Sequence, residues 1–198
     1  LAGQRVLDLC AAPGGKTAQL ALAGGEVTAV ELSRNRMRRL AGNLERLELT
    51  ANLVEADALS LSGEPFDAIL LDAPCSSTGT VRRHPDVPWT KTPEDVAKLA
   101  GLQRRMLDHA TTLLRPGGRI VFANCSLDPL EGEEMVAGFL RDHPSFEIDP
   151  IQAGEVAGVG PFIDGRGAVR TTPADLPQTS PELSGCDGFY AARMVRCR

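Results

Sequence analysis

The chain has 198 residues, of which 42% are hydrophobic and 24% charged, and its net charge is −5. One soluble globular domain is expected, large enough to fold without disulfide or metal staples. A wholly basic nucleic-acid-binding domain is excluded, no apolar run reaches the roughly 18 residues of a membrane span, and no signal peptide opens the chain. The acidic excess lies within the first 150 residues, so a local basic patch stays open. The five cysteines, Cys10, Cys75, Cys125, Cys186 and Cys197, are odd in number and widely spaced, with no C-x-x-C. Reduced thiols in a cytoplasmic protein are expected, and no metal site. The chain starts at Leu1, just before a strand-like run, and reads as an N-terminally truncated piece of a longer protein.

In chain order, RVLDL (5–9) reads as a short buried strand, followed by the breaker-rich CAAPGGKT and a helix from Lys16 to Ala23. EVTAVEL (26–32) reads as a second strand. Ser33 is placed to cap a helix running to Leu47, with Met37, Leu40, Leu44 and Leu47 at helical spacing. NLVEAD (52–57) and FDAILLD (66–72) read as third and fourth strands. Thr92-Pro93-Glu94-Asp95 opens a long helix to Leu114. Pro116-Gly117-Gly118 then turns the chain into RIVFANC (119–125), a fifth strand. A helix near 130–142 precedes FEIDP, residues 152–188 read mostly as loop, and FYAARMV (189–195) is a last strand. Near-continuous apolar strands alternating with helices predict an α/β fold, a Rossmann-like mostly parallel sheet with helices on both faces. Ligands of such sheets bind beyond the carboxyl ends of the strands. Five segments fall at that edge: CAAPGGK, Glu31, Asp57, DAPC and NCS.

The first loop, DLCAAPGGKT (8–17), nearly fits a phosphate loop, but the first glycine of that pattern falls on Cys10, and G-x-G-x-x-G is absent. A glycine-rich turn lacking both signatures suits a cofactor without phosphate, such as S-adenosylmethionine. Small residues let the backbone approach its amino-acid part. Glu31 can accept hydrogen bonds from both ribose hydroxyls, and Asp57 can reach the adenine amino group.

Cys75, in Asp72-Ala73-Pro74-Cys75-Ser76, and Cys125, in Asn124-Cys125-Ser126, both end strands. A zinc-deaminase reading needs a cysteine at Thr78 and an upstream H-x-E, and neither exists. Cys–His hydrolysis needs an imidazole, for which only His84 sits in a suitable loop; His109 and His143 read as structural or solvent-facing. A cysteine beside a methyl donor has a specific use: its thiolate adds to carbon-6 of cytosine and makes carbon-5 nucleophilic. A carboxyl group such as Asp72 can assist at the ring's N3.

DLCAAPGGKT, LLDAPCSSTGTVRRHPDVPW, LRPGGRIVFANCSLDPLEGEE and CDGFYAARM together resemble the RsmB/NSUN-type RNA cytosine-C5 methyltransferases over nearly the whole chain. The resemblance implies a class I methyltransferase core over residues 1–198 and transfer of methyl from S-adenosylmethionine to cytosine carbon-5 in RNA, ribosomal RNA above all. It implies cofactor contacts at Cys10, Ala11, Ala12, Pro13, Gly14, Gly15, Lys16, Glu31, Asp57 and Asp72. Cys125 would be the nucleophile, and Cys75 would help resolve the covalent adduct. DNA cytosine methyltransferases instead use the Pro-Cys residue, which leaves Cys75 as the competing nucleophile. Two departures stand out: Asn124 where the family usually has Thr, and Gly132 where Asn is common. Both spare the reacting groups, and altered local packing is expected.

On the RNA side, Arg82 and Arg83 adjoin the Pro-Cys loop and are candidate RNA contacts, whereas Arg34, Arg36, Arg38 and Arg39 read as a solvated helix face. Trp89 reads equally as an RNA-stacking or a packing residue. With its acidic balance this domain alone is expected to hold RNA weakly. Family members commonly carry an added RNA-binding region, resembling the antitermination factor NusB in the bacterial ribosomal enzymes. Two other readings stay open: a catalytically weak RNA-binding or assembly module, and a methyltransferase acting on another base.

Overall fold

Three strands of near-continuous apolar character are laid side by side at the start of the fold: β1 (Arg5–Leu9), β2 (Glu26–Glu31) and β4 (Phe66–Asp72). With β3 (Asn52–Glu55) and β5 (Leu114–Asn124) they follow the order β3-β2-β1-β4-β5, and the pairings of β1 with β2, β1 with β4 and β2 with β3 are parallel. Val6, Leu7 and Leu9 of β1 are all buried, as expected of a strand covered on both faces. The computed structural model describes residues 1–197, and the chain falls into two compact units. The first comprises Leu1–Ala73, Arg105–Val121 and the chain's end from Val195; the second comprises Pro74–Arg104 and Phe122–Met194.

In the first unit, α1 (Gly15–Leu22) and α2 (Arg34–Arg46) cover the early strands. Ser33 caps α2, its Oγ accepting from the Arg36 N–H at 3.4 Å. Met37, Leu40 and Leu44, spaced three and four apart, bury one stripe of that helix in a cluster with Ala11, Ala12, Ala18 and Ala29. The small residues of the cluster let α2 lie close to the loop after β1. β5 starts five residues earlier than expected and carries Pro116-Gly117-Gly118 within it. A side chain at Gly118 would meet Leu114 at 2.8 Å and the Asp67 carbonyl oxygen at 2.9 Å. The glycine therefore permits close strand passage rather than ending a turn.

The second unit holds α3 (Val87–Thr90), the first part of α4 (Pro93–Thr112) and all of α5 (Glu133–Asp142). Thr92 and Asp95 form a reciprocal cap for α4: the Asp95 N–H donates to Thr92 Oγ1 at 3.2 Å, and the Thr92 N–H donates to Asp95 Oδ2 at 3.1 Å. α5 buries Met135, Val136 and Phe139. Phe139 stacks on His143 at 4.5 Å and meets Phe146 edge-on at 5.3 Å, where β6 (Phe146–Ile148) begins. β8 (Phe189–Arg196) alternates, with Tyr190, Ala192 and Met194 inward, and β7 (Val169–Thr171) pairs with it antiparallel. Neither α3 nor β7 follows from the sequence pattern, because each is only three or four residues long.

Candidate active site

The parallel register of the first unit sets four predicted cofactor segments at one edge. Leu9 is level with Val30 and with Leu71, so Cys10, Glu31 and Asp72 each lie one residue further along. Asp57 lies two residues past the end of β3, exposed, and caps a short turn through the Leu59 N–H at 2.9 Å. The loop after β1 bends through Cys10 at φ 62° and Gly14 at φ 102°. A left-handed cysteine is disfavoured by the clash of its Cβ with the backbone, and residues held this way concentrate where a loop has a task. A side chain at Gly14 would meet Leu40 Cγ at 3.2 Å, whereas the space at Gly15 is open. Two residues of α2 fix the loop: Arg36 Nη2 donates to the Ala12 carbonyl at 2.8 Å, and Asn43 Nδ2 to the Pro13 carbonyl at 2.8 Å.

Three acids surround this loop. Glu31 is 4% exposed, and its Oε1 accepts from the Ser33 N–H at 2.9 Å. Its Oε2 is buried without a hydrogen bond, 3.5 Å from Arg36 Nη2. A buried carboxylate oxygen left in that state needs a donor, and vicinal hydroxyls of a ribose supply one. Asp8 is wholly buried; Thr17 Oγ1 donates to its Oδ2 at 2.6 Å, and its Oδ1 has no hydrogen-bond partner. Burial pushes its carboxyl up to about 6. Lys16 Nζ reaches Asp72 Oδ2 at 2.7 Å. The Cys10 thiol is pushed up to about 12, first by burial and then by Glu31. The open glycine turn and the unsatisfied Glu31 oxygen fit a nucleoside bearing an amino-acid chain.

In the second unit, the sulfurs of Cys75 and Cys125 stand 3.5 Å apart, with Ser77 Oγ 3.9 Å from the first and 3.6 Å from the second. The Cys75 thiol is held far above the ordinary thiol range, first by its hydrogen bond to Cys125 and next by burial. Ser77 is left-handed at φ 60°, the second strained non-glycine residue at a predicted site loop.

Beneath the thiols the two Cys-Ser dipeptides are stitched together. Ser76 Oγ lies 3.1 Å from Ser126 Oγ, and Ser126 Oγ lies 3.2 Å from Thr78 Oγ1. Glu131, with no exposed surface, accepts from the Ser76 N–H at 3.0 Å, from the Ser76 hydroxyl at 2.5 Å and from Gln103 Nε2 at 2.8 Å. Gln103 Nε2 also reaches the Pro74 carbonyl at 2.9 Å. Asn124 donates to the Glu131 carbonyl at 2.5 Å and accepts from the Ser126 N–H at 3.0 Å. Both ends of its amide are thus used. Three chain segments cross tightly here: the Gly79 N–H donates to the Cys125 carbonyl and the Gly188 N–H to the Gly79 carbonyl, both at 2.8 Å. A side chain at Gly79 would collide with the Gly188 carbonyl oxygen.

Gly132 makes room for a cation. A side chain there would strike Arg170 and sit 3.4 Å from the Tyr190 ring. Arg170 lies over that ring at 4.8 Å, grips both oxygens of Glu133 at 2.8 and 2.7 Å, and donates to the Ser126 carbonyl at 2.6 Å. Gln103, Glu131 and Arg170 were not singled out by sequence reasoning for this role. The burial of Glu131 depends on contacts between segments distant in sequence. Of the predicted RNA contacts, Arg82 is exposed and Arg83 is held by Asp187 at 2.8 Å. His84 is exposed, His109 Nε2 pairs with the Leu61 carbonyl at 2.8 Å, and His143 stacks on Phe139. Trp89 is not a packing residue: it is 89% exposed. Among the described residues no group of His, Cys, Asp and Glu is arranged to hold a metal, and no helix is long and apolar enough to cross a membrane.

A family model described as 16S rRNA methyltransferase RsmB/F matches residues 2–195. Ribosomal RNA small subunit methyltransferase B of Vibrio cholerae is 46% identical over 162 residues, covering 77% of this chain and 37% of that protein. The Vibrio vulnificus protein of the same name is 39% identical over 200 residues, 98% of this chain and 42% of that one. The chain spans less than half the length of these curated relatives. Among solved structures, NSun6 from Pyrococcus horikoshii with SFG superposes with a TM-score of 0.82 at 29% identity, over 99% of this chain and 48% of that one. A methyltransferase homolog protein from the same organism gives 0.76 at 32% identity, over 98% and 62%. The fold is that of the class I S-adenosylmethionine-dependent methyltransferases.

Proposed function

The chain belongs to the RsmB/F family of 16S rRNA methyltransferases, and from that premise we propose that it methylates carbon-5 of a cytosine in RNA, with ribosomal RNA as the substrate class. S-adenosylmethionine is its cofactor and supplies an electrophilic methyl group. In this reading residues 1–198 are the catalytic domain of a longer cytoplasmic enzyme. The turn Cys10-Ala11-Ala12-Pro13-Gly14-Gly15-Lys16 takes the amino-acid part of the cofactor, Glu31 the ribose hydroxyls and Asp57 the adenine amino group. Asp72, with Lys16 as its 2.7 Å partner, takes the polar edge of the cytosine.

The observation that carries the chemistry is the pair of sulfurs 3.5 Å apart. The Cys125 thiolate forms a bond to cytosine carbon-6, and the electrons of the 5,6 double bond move to make carbon-5 nucleophilic. Carbon-5 takes the methyl group. Loss of the carbon-5 proton restores the double bond and expels the Cys125 thiolate. Cys75 serves the last step. Its proton is held above all by the hydrogen bond to Cys125. With Cys125 bonded to carbon-6, that hydrogen bond is gone; Cys75 releases its own proton to water, and its thiolate then takes the proton from carbon-5. Arg82 and Arg83 contact the RNA through phosphate or base.

The test is trapping on RNA that carries 5-fluorocytidine, with S-adenosylmethionine and the full-length protein. Fluorine cannot leave as a proton does, so a denaturation-resistant RNA–protein band is expected, lost in Cys125→Ala and kept in Cys75→Ala. Loss in Cys75→Ala alone would exchange the two roles. No band with a 16S rRNA transcript, despite cofactor binding, would reject the covalent mechanism on that RNA and favour the non-catalytic module.

A further inference from the structure

Trp89 is the only tryptophan of the chain. At 89% it is the most exposed of the large apolar side chains among the described residues. It sits on α3, which buries no residue of its own. Leaving an indole in water forfeits one of the largest burial gains any side chain offers. Its backbone is nevertheless tied down by successive turns. The Gly79 N–H donates to the Cys125 carbonyl at 2.8 Å; the Arg83 and His84 N–H groups donate to the Thr80 carbonyl at 2.9 Å. The Val87 N–H donates to the His84 carbonyl at 3.1 Å, and the Trp89 N–H to the Asp86 carbonyl at 2.9 Å. Backbone hydrogen bonds thus tie the segment from Gly79, at the Cys125 carbonyl, to the main chain of Trp89.

The surroundings of the indole select the ligand. In sequence Arg82, Arg83 and Lys91 flank it, with Asp86 between them and Glu94 and Asp95 beyond; Arg83 is paired with Asp187, which leaves Arg82 and Lys91 as the cations for a ligand. Arg82 and Lys91 are exposed, and neither makes an ion pair with another described residue. We infer that Trp89 is a stacking platform for an unpaired RNA base flanking the target cytosine, with Arg82 and Lys91 drawing the adjoining phosphates. A base taken out of its stack leaves its neighbours without a stacking partner, and an aromatic face replaces that partner whatever the base. The inference rests on the reading that RNA is the substrate and adds the residue that reads the strand beside the reacting base.

The emission of the full-length protein minus that of Trp89→Phe isolates this indole from any other tryptophan. That signal should be open to acrylamide in the free protein and should fall by at least half on addition of a single-stranded, unmethylated 16S rRNA fragment. Trp89→Ala should raise KM for that RNA roughly ten-fold, the scale of one lost base–aromatic stack. Trp89→Phe should restore most of the loss, and affinity for S-adenosylmethionine should hold. An indole already shielded before RNA is added would overturn the inference and assign this face to a protein segment. An unchanged KM in Trp89→Ala would also overturn it. If wild-type protein forms the 5-fluorocytidine adduct while Trp89 responds to nothing, this inference fails and the proposed function stands. If RNA quenches Trp89 but no adduct forms, the chemistry fails and the RNA contact stands.

Discussion

The two units achieve their sites by different means. In the first, the groups are set by sheet register: Cys10, Glu31 and Asp72 are level because β1, β2 and β4 run parallel and in step. Few side-chain contacts are needed, and polar atoms on Glu31 and Asp8 are left unsatisfied. In the second, the thiols are set by side chains: Ser76, Ser126, Asn124, Gln103 and Glu131 form a hydrogen-bonded lattice beneath them. A site made by register tolerates loss of one side chain with a local effect. A site made by a buried polar network does not, because every member removed strands its partners.

The sharpest contrast comes from removing one reacting group. Cys125→Ala should lower methylation by about 10⁴-fold or more, the scale of losing a covalent nucleophile, while the dissociation constant for S-adenosylmethionine measured by calorimetry stays within about two-fold. Loss of cofactor binding in that variant would show that the units are not separable. Next is the lattice. Glu131→Gln cannot accept from all of its donors, and denaturant unfolding should show a loss of roughly 3 kcal/mol. Turnover should fall with it at unchanged cofactor affinity. An unaltered unfolding midpoint would refute the claim that side chains set this site.

Asp8 tests the first unit through pH. Its carboxyl titrates at about 6 in the fold against 3.8 ordinarily. Below about pH 4 both the folded and the unfolded chain hold the proton, and between 4 and 6 only the folded chain does. Stability therefore falls as pH rises through that window. Relative to wild type, Asp8→Asn should gain up to about 3 kcal/mol between pH 4 and pH 7, at 1.36 kcal/mol per unit. A constant offset across thermal melts at these pH values would show that Asp8 is ionised in the fold. The smallest effect is expected at Glu31. Glu31→Gln keeps one acceptor and loses the charge, and cofactor affinity should weaken roughly 20-fold, in line with one charge-assisted hydrogen bond. Trapping on 5-fluorocytidine RNA should survive at saturating cofactor.

What the sequence made legible follows the same division. Strands β1 and β4 are found at the expected residues, the Ser33 and Thr92 caps are made, and the levelling of Cys10, Glu31 and Asp72 follows from strand ends alone. These features depend on neighbours in sequence. The lattice is different: Gln103 lies 28 residues from Glu131, and Ser76 lies 55 from it, so no local pattern joins them. The cysteines themselves were visible, but not their 3.5 Å separation. Pro116-Gly117-Gly118 was misleading in a physical way. It has the composition of a turn, yet a strand passes through it because Gly118 admits the close approach of Leu114 and Asp67.

Arg170 occupies the space that any side chain at Gly132 would need, and it ties Glu133 to the Ser126 carbonyl. Positions 132 and 170 therefore cannot drift independently. An Asn at 132 alone would displace the guanidinium, and a small residue at 170 alone would leave Glu133 without its partner. Across the family the two columns should be correlated, with Gly accompanying Arg and bulkier residues accompanying something shorter. A chimera that exchanges one position without the other should be poorer than either parent, and the double exchange should recover.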